Sequence, residues 1–569
     1  MRTIGTGEDD HRQTTRRVTR TTSRHVIYRE GENEYLPGYS PIDFHIAFNR
    51  FNSLYVQTGS IAMPESQFPL GHSENPYELL IVGAGPHALT LLVRLLTKYP
   101  VTLFNDEEQD RLLRHVKHQK GCGMVDEARK RKYLVVDEGG EWLSRWKKLF
   151  AGYDIPWLRS LVNIHPDASR RMNSAFNHSQ NTTLHVPTSS LFIDFCAHLV
   201  EKHHLNDVIQ QGSVHCIKPM FDSSCNICKG FEIDLLHNGH CKKIHASRVV
   251  CAIGNGNCLR LPDWVPPCDG CNTVKWPKEC LMHSAELVKS GVLNCEGCCS
   301  KEQTQLLPTL REASKGRLMI VGGGLTAAHL VKHGVKRFDQ VLLVSRSFLR
   351  VKHFDVSLNW IDRYGNVEMA KFWQENDPRI RLKIIQNARE GGSMTPSMWE
   401  YIESAKAAGS LETKQYTEII SAIWRTDTHC ACDSAETAKG FWEVHLSDGS
   451  IENVHAIWMA TGSKMNVTQD PLLSQICKAV PTTLIEGFPV LTHDLRWQSS
   501  IPLYVMGGYA ALQLGPNALN LAGAKIASER IVEALETEMG FDQAHADDGA
   551  AVVGGWANRY KFLEDEDAC

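Results

Sequence analysis

Short, almost wholly apolar runs of four or five residues, each ending on a glycine-rich turn and followed by apolar positions at helical spacing, dominate this chain. Glu78-Leu79-Leu80-Ile81-Val82 runs into Gly83-Ala84-Gly85-Pro86-His87-Ala88, after which Leu89, Leu92, Val93 and Leu96 mark one face of a helix. The unit recurs at Arg317-Leu318-Met319-Ile320-Val321, Gly322-Gly323-Gly324-Leu325-Thr326-Ala327 and a helix through Val331. Strands apolar at every position, rather than at alternate ones, belong in parallel sheets covered on both faces. Two further runs, Arg248 to Gly254 and Ala456 to Gly462, have the same form. Near the C-terminal end, Leu503 to Gly508 precedes Leu514-Gly515-Pro516-Asn517 and a helix with Leu519, Ala522, Ile526 and Ile531 on one face. The predicted class is α/β, with two Rossmann-like dinucleotide-binding domains.

The glycines sit where such a fold uses them. Gly83 permits the tight turn, Gly85 lets backbone approach a pyrophosphate, and small Ala88 lets the helix pack on its strand. Pro86 opens the helix, whose N-terminus faces the phosphates. An acidic residue closing the second strand is expected to hold the adenosine ribose. Asp106, after Val101 to Phe104, competes for that role with Asp137 and Glu138, which end Tyr133 to Val136 and lead into Gly139-Gly140-Glu141-Trp142. In the second unit Gly322, Gly324 and Ala327 play the parts of Gly83, Gly85 and Ala88, and the strand Val341 to Val344 ends at Ser345-Arg346. A carboxylate there would repel a ribose 2′-phosphate, whereas a guanidinium forks onto it, so NADPH is favoured over NADH.

Composition narrows the partners. The chain has 569 residues, 42% hydrophobic and 22% charged, with a formal net charge of −4. That suits two or three globular domains and gives no basic footprint for nucleic acid. No apolar run approaches the roughly 18 residues of a membrane span. The first residues, rich in Arg and Thr but carrying Glu8, Asp9 and Asp10, read as a polar arm. Eighteen cysteines without a secretory leader read as reduced thiols, which makes the cytoplasm the expected compartment.

With these pieces in order, the chain resembles the flavin-containing monooxygenases and, more closely, the lysine and ornithine N-hydroxylase group. The resemblance spans Tyr77 to Leu535. Its carriers are the two glycine turns, Gly139 to Trp142, Leu158-Arg159-Ser160-Leu161-Val162 with His165-Pro166, Pro187-Thr188-Ser189 with Phe192 and Phe195, and Ala460-Thr461-Gly462. It implies FAD on the first fold and NADPH on the second, with Asp137 or Glu138, Trp142, Gly254, Thr461, Gly462, Gly515 and Asn517 as further cofactor-binding residues. It also implies a monooxygenase that passes one atom of O2 through a flavin hydroperoxide to nitrogen or sulfur of a small molecule. The family's aromatic-glycine signature survives only as His283-Ser284, which removes support for Baeyer-Villiger chemistry, and Ser189 stands where N-hydroxylases carry an arginine.

The expected domains are an N-terminal arm over residues 1–76, an FAD domain over 77–262 plus 445–540, a Cys-rich connection over 263–316, an NADPH domain over 317–444 and an acidic tail over 541–569. Two other readings stay open: an NADPH-dependent flavoprotein reductase without oxygen insertion, and a flavoprotein-like regulatory protein without catalysis. Assembly into oligomers is compatible with either, and no catalytic residue is named. Cys268, Cys271, Cys295 and Cys298 have the spacing of a structural zinc knuckle, as does Cys225 with Cys228 near His237, His240 and Cys241, although the family has neither and no metal is assigned. Trp142 and Trp146, at i and i+4, suit either the flavin face or the core. His165 and Asn255 are polar candidates beside glycine turns. Phe354 to Trp360 and Gly391 to Met398 carry no assignment.

Overall fold

The structure is a computed structural model and describes residues 68–96, 132–160, 186–224, 227–254, 258–265, 277–294, 316–361, 365–426 and 440–539. The chain separates into two compact units, Met1–Glu65 and Ser66–Cys569, and every described residue belongs to the second. The end of the expected arm is therefore corrected. Gly71 accepts from the amide of His245 at 2.9 Å, so residues 68–76 are part of the folded body.

The first fold runs β1 (Leu79–Val82), α1 (Pro86–Leu95), β2 (Tyr133–Asp137), α2 (Ser144–Tyr153), α3 (Ser189–Lys202) and β3 (Ile209–Gln211). An antiparallel meander, β4 (Ser213–Phe221), β5 (Cys228–His237) and β6 (His240–Ala246), leads to β7 (Val249–Cys251). β1 is buried along its length because it is central, with Leu80 opposite Leu134 on β2 and Val249 on β7, both in parallel. That register makes Tyr133–Asp137 the second strand, the choice that left Asp106 in competition. The pair Val101 to Phe104 and Asp106 lies outside the described residues.

The second fold repeats the plan. It comprises β8 (Leu281–His283), α4 (Ser284–Lys289), β9 (Arg317–Val321), α5 (Leu325–Gly334), β10 (Gln340–Ser345), α6 (Gly365–Gln374), α7 (Pro378–Arg389), α8 (Pro396–Ala407) and β11 (Leu411–Gln415). A second meander, β12 (Ile419–Thr426), β13 (Gly440–Leu446) and β14 (Ile451–Val454), ends in β15 (Ala456–Met459). The chain then returns to the first sheet with β16 (Arg496–Gln498) and β17 (Ile501–Val505), followed by α9 (Ala511–Leu514) and α10 (Leu521–Glu538). The first sheet has the order β16-β17-β7-β1-β2-β3 and the second β11-β10-β9-β15-β8. Strand order thus reverses beside β1 and beside β9, which places a crevice at the carboxyl end of each.

The sheet order corrects two domain boundaries. β15 pairs with β9, Ile457 opposite Met319, and so belongs to the second fold and not to the stretch 445–540 assigned to the first. β8, inside the expected Cys-rich connection, is the edge strand of that same sheet. The reason is packing: Met319, Leu342 and Ile457 share one core with Trp424 and Trp442 of the meander. The Trp442 indole donates to the Cys280 carbonyl at 3.0 Å, which fixes β8 beside it.

Local signals set the helix ends. Pro86 and Pro378 occupy the first helical turn, where no amide partner is missed. Thr188 and Thr395 accept from the amides of Leu191 and Met398. α10 packs along α1, with buried Arg94 reaching Glu529 at 2.7 Å and Glu536 at 3.7 Å. Among the described residues no helix is long and apolar enough to cross a membrane.

Candidate functional site

Both crevices are built by the same device. Gly83 has φ +100°, and a Cβ on it would meet the Ala252 carbonyl oxygen at 2.6 Å. Gly322 has φ +140°, and a Cβ would meet the Ala460 oxygen at 2.5 Å. In each fold the carbonyl just past the returning strand, Ala252 after β7 or Ala460 after β15, therefore presses against the first glycine of the turn, and only glycine fits.

The next glycines are different. Gly85 caps α1 with an ordinary φ of −81°, and a Cβ there meets nothing within 4 Å. The space it leaves is open. Neither α1 nor α5 has a side chain capping its first turn, so those amides, His87 and Ala88 on α1 and Leu325 to Ala327 on α5, have no partner in their own helix. Helix termini of this kind attract anions. Gly254 and Gly462, at φ +68° and +79°, follow the two returning strands and likewise face open space. Around the second turn a loop closes in: Gly324 lies against Gly392, at 3.5 Å from a built Cβ to its Cα.

The peptide of Ala84 is held from both sides. Its amide donates to Asp137 Oδ2 at 3.0 Å, and its carbonyl accepts from Leu143 at 2.9 Å. Asp137 Oδ1 also accepts from Gly139 and Ser144. This leaves Asp137 shaping the turn, while the carboxylate of exposed Glu138 accepts from the Ser213 hydroxyl at 3.2 Å and its carbonyl from Gln211 at 3.3 Å. Trp142 is buried and its indole donates to the Leu205 carbonyl at 3.1 Å, the arrangement of a core side chain. Trp146 packs against Phe150 and Phe192.

At the second strand end the two expected residues separate. Ser345 is buried and its hydroxyl donates to Ser347 at 2.8 Å, whereas Arg346 is exposed and without a partner among the described residues. Arg350 and Lys352 are engaged, the first with the Glu390 carbonyl and the second with its carboxylate at 2.6 Å. Thr461 donates to Arg260, and Gly462 accepts from the Arg260 amide at 3.0 Å. The loops after β7 and β15 are thereby joined, with Leu259 bridging Ser463.

Gly515, at φ +77°, turns the chain beneath Met369 and Phe372. Asn517 is buried; its amide donates to the Trp360 carbonyl at 3.1 Å and its oxygen accepts from Asn520 at 3.3 Å. Asn520 also donates to Asp355, which pairs with Arg389 at 2.7 Å. Nearby, Met394 of the unassigned stretch Gly391 to Met398 bridges Val351.

The pattern of the sequence did not single out Arg159 as a site residue. From the first fold its guanidinium donates to the carbonyls of Lys352, His353, Phe354 and Ser393 and to the Ser393 hydroxyl, all within 3.1 Å. Burial lowers its pKa to about 10, Asp355 opposes that and Arg389 adds to it, and the group stays charged at neutral pH. Arg159→Ala is expected to cost about 2–4 kcal/mol, since buried carbonyls lose their donors together. Arg159→Lys restores little, because one ammonium cannot span the fork. Urea unfolding of the two variants checks both statements.

His283 is the surviving half of the family's aromatic-glycine signature. It caps α4, accepting from Ala285 at Nδ1 and donating from Nε2 to the Gly462 carbonyl at 3.1 Å, an arrangement that needs the neutral ring. Burial lowers its pKa, and burial lowers those of His87, His329 and His333 to about 4. Below about pH 6.5 the unfolded chain binds protons that these folded rings do not. Stability is therefore expected to be fully present above that pH and to be lost as pH falls toward 4. A urea midpoint unchanged between about pH 6.5 and about pH 4.5 would contradict this.

His165, Asn255, Cys225 and the four cysteines at 268, 271, 295 and 298 lie outside the described residues. Cys228 is half-buried and donates to the Gly230 carbonyl. Among the described residues no group of three or more His, Cys, Asp or Glu side chains is placed to hold a metal.

No protein-family model matches the chain. No curated protein matches it either. Solved structures do. The ornithine hydroxylase of Pseudomonas aeruginosa aligns with TM-score 0.55 at 15% identity over 82% of this chain and 100% of that one. The ornithine N-hydroxylase of Kutzneria sp. 744, solved with reduced FAD, NADP⁺ and L-ornithine, aligns with TM-score 0.54 at 15% identity over 82% and 100%. L-lysine 6-monooxygenase from Pseudomonas syringae gives 0.53 at 15% identity over 81% and 99%. The likeness is one of fold: this chain has the two-dinucleotide-binding architecture of that group.

Proposed function

We propose that the chain is an FAD- and NADPH-dependent oxidoreductase that oxygenates nitrogen or sulfur of a small molecule. The observation that carries this is the pair of glycine turns at the two points of strand reversal. Each keeps its first glycine free of a side chain by a pressing carbonyl, and each leaves an uncapped helix terminus facing the crevice.

The residues fit the two cofactors. Around the first turn Gly83, Gly85, Pro86 and Ala88 would take the FAD pyrophosphate, Glu138 the ribose, and Gly254 the chain beyond. Asp137 would act through the Ala84 peptide that it holds. Around the second turn Gly322, Gly324 and Ala327 would take the NADPH pyrophosphate, with Arg346 on the 2′-phosphate and Ser345 shaping the strand end behind it. Thr461 and Gly462 would join the two sites through Arg260. Gly515 and Asn517 would set the start of α10 against the flavin's polar edge.

FAD would supply the electron transfer and the reaction with oxygen, which no side chain performs. The protein's part is orientation and exclusion of water. Arg159 and the Asp355–Arg389 pair fix the loops 352–355 and 391–394 between the folds, where a nicotinamide must meet a flavin. In the N-hydroxylases named above the substrates are ornithine and lysine; here Ser189 donates to the Ile155 carbonyl at 2.6 Å, so its side chain is committed to the backbone. The substrate class is accordingly left at a soft nitrogen or sulfur nucleophile.

Oxygen uptake separates this reading from a reductase. With NADPH in air, the protein is expected to consume about one O2 per NADPH, with hydrogen peroxide released unless an amine or thioether substrate captures the oxygen. NADPH oxidation that needs a quinone and proceeds equally without oxygen would overturn oxygenation while leaving the cofactors in place.

A further inference from the structure

On the short helix α9, just before Gly515, two arginines converge, neither in an ion pair among the described residues. Arg381 of α7 donates to the Leu512 carbonyl at 3.1 Å, the Gln513 side chain at 3.4 Å, and the backbones of Glu375 and Trp373. Its donors are spent on backbone and amide. Arg530 of α10 lies 5.1 Å over the Trp373 ring and makes only long contacts, from Nη1 to His493 and Gln513 carbonyls at 3.3 and 3.4 Å. Its Nε and Nη2 have no partner among the described residues. Trp373 is held edge-on by its indole bond to the Gln513 carbonyl at 3.0 Å.

The charge balance is unusual. Neither arginine forms an ion pair among the described residues, and the charge acting on Arg530 is that of Arg381; burial and that repulsion lower it to about 10. The nearby acids make no ion pair with either arginine: Asp494 pairs with Arg496 at 2.6 Å, Glu375 accepts from the Asp377 amide while its charge supports Arg381, and Asp494 and Glu533 act at a distance on His493. His493 is exposed beside them, its ring unpartnered among the described residues. The Nε and Nη2 atoms of Arg530 are not sealed from solvent, so that edge is open to an anion from outside.

We propose that Arg530, with His493 and the field of Arg381, forms a surface site for a small oxyanion, a carboxylate or a phosphate group, on residues other than those assigned to either nucleotide. The free Nε–Nη2 edge is the face of a guanidinium that takes two oxygens of one such group. Trp373 fixes the plane of the fork, so little orientation is lost on binding.

Calorimetric titration of the cofactor-bound protein with inorganic phosphate, and separately with acetate, tests this. Binding of one phosphate is expected, weakened at least tenfold in Arg530→Gln, about threefold in His493→Asn, and not at all in Arg346→Gln. His493 is exposed, so the second variant remains informative should Arg530→Gln fail to fold. Acetate competing with phosphate identifies a carboxylate-compatible site; phosphate alone restricts the site to phosphate groups, and both support it. Phosphate binding unchanged in His493→Asn and Arg530→Gln, or lost only in Arg346→Gln, overturns the proposal.

Discussion

Gly85→Ala is expected to leave the fold intact and to empty the first nucleotide site. The backbone at Gly85 is one that any residue adopts, and the added methyl meets no protein atom within 4 Å. The entropic gain of about 0.4–1 kcal/mol from replacing glycine is offset by alanine's poorer N-cap, so the unfolding midpoint stays close to that of the unsubstituted protein. The methyl would occupy the space through which a pyrophosphate reaches the amides of α1, and flavin affinity should fall at least tenfold, about 1.4 kcal/mol. Gly83→Ala behaves oppositely. At φ +100° with the Ala252 oxygen 2.6 Å away, it costs the fold itself. Flavin absorbance and urea unfolding of the two variants separate a binding cradle from a structural turn: a Gly85→Ala protein with full flavin content would mean the open space is not the cofactor's.

Arg346→Ala is expected to raise KM for NADPH by roughly 10- to 100-fold while leaving NADH almost unaffected, the loss of a charge-assisted contact worth about 1.5–3 kcal/mol. Arg346 is exposed and unpartnered among the described residues, and its neighbours Arg350 and Lys352 are tied to Glu390. Neither can replace it without releasing the loop that borders Gly324. Arg346→Asp should go further and turn the preference toward NADH, since a carboxylate accepts the ribose hydroxyl and repels the phosphate. Equal KM changes for both nucleotides would make Arg346 a bystander at a strand end.

The strands and glycine turns were legible in the sequence because burial on both faces makes a run uniformly apolar, and the turn admits few residue types. Which sheet a run joins was not legible. Ala456–Met459 reads the same in either, and its placement beside Arg317–Val321 follows from the tryptophans of the neighbouring meander. Asp137 could be found as the acid ending β2, but not that its two oxygens would be taken by Ala84, Gly139 and Ser144. That leaves Glu138 the freer carboxylate. Trp142 carried two readings at one spacing, and its bond to the Leu205 carbonyl, which supports packing, leaves no mark in the sequence. Arg159 was invisible as a site residue, since its partners are backbone carbonyls far along the chain, and carbonyls leave no mark in a sequence.

The central claim, that two nucleotide sites on this fold bring NADPH to FAD, is tested most directly by the visible spectrum of the purified protein during anaerobic NADPH addition. The account predicts flavin bands near one equivalent per chain that bleach with about one equivalent of NADPH and far more slowly with NADH. Protein that is colourless, takes up no added FAD and leaves NADPH unoxidised would contradict it.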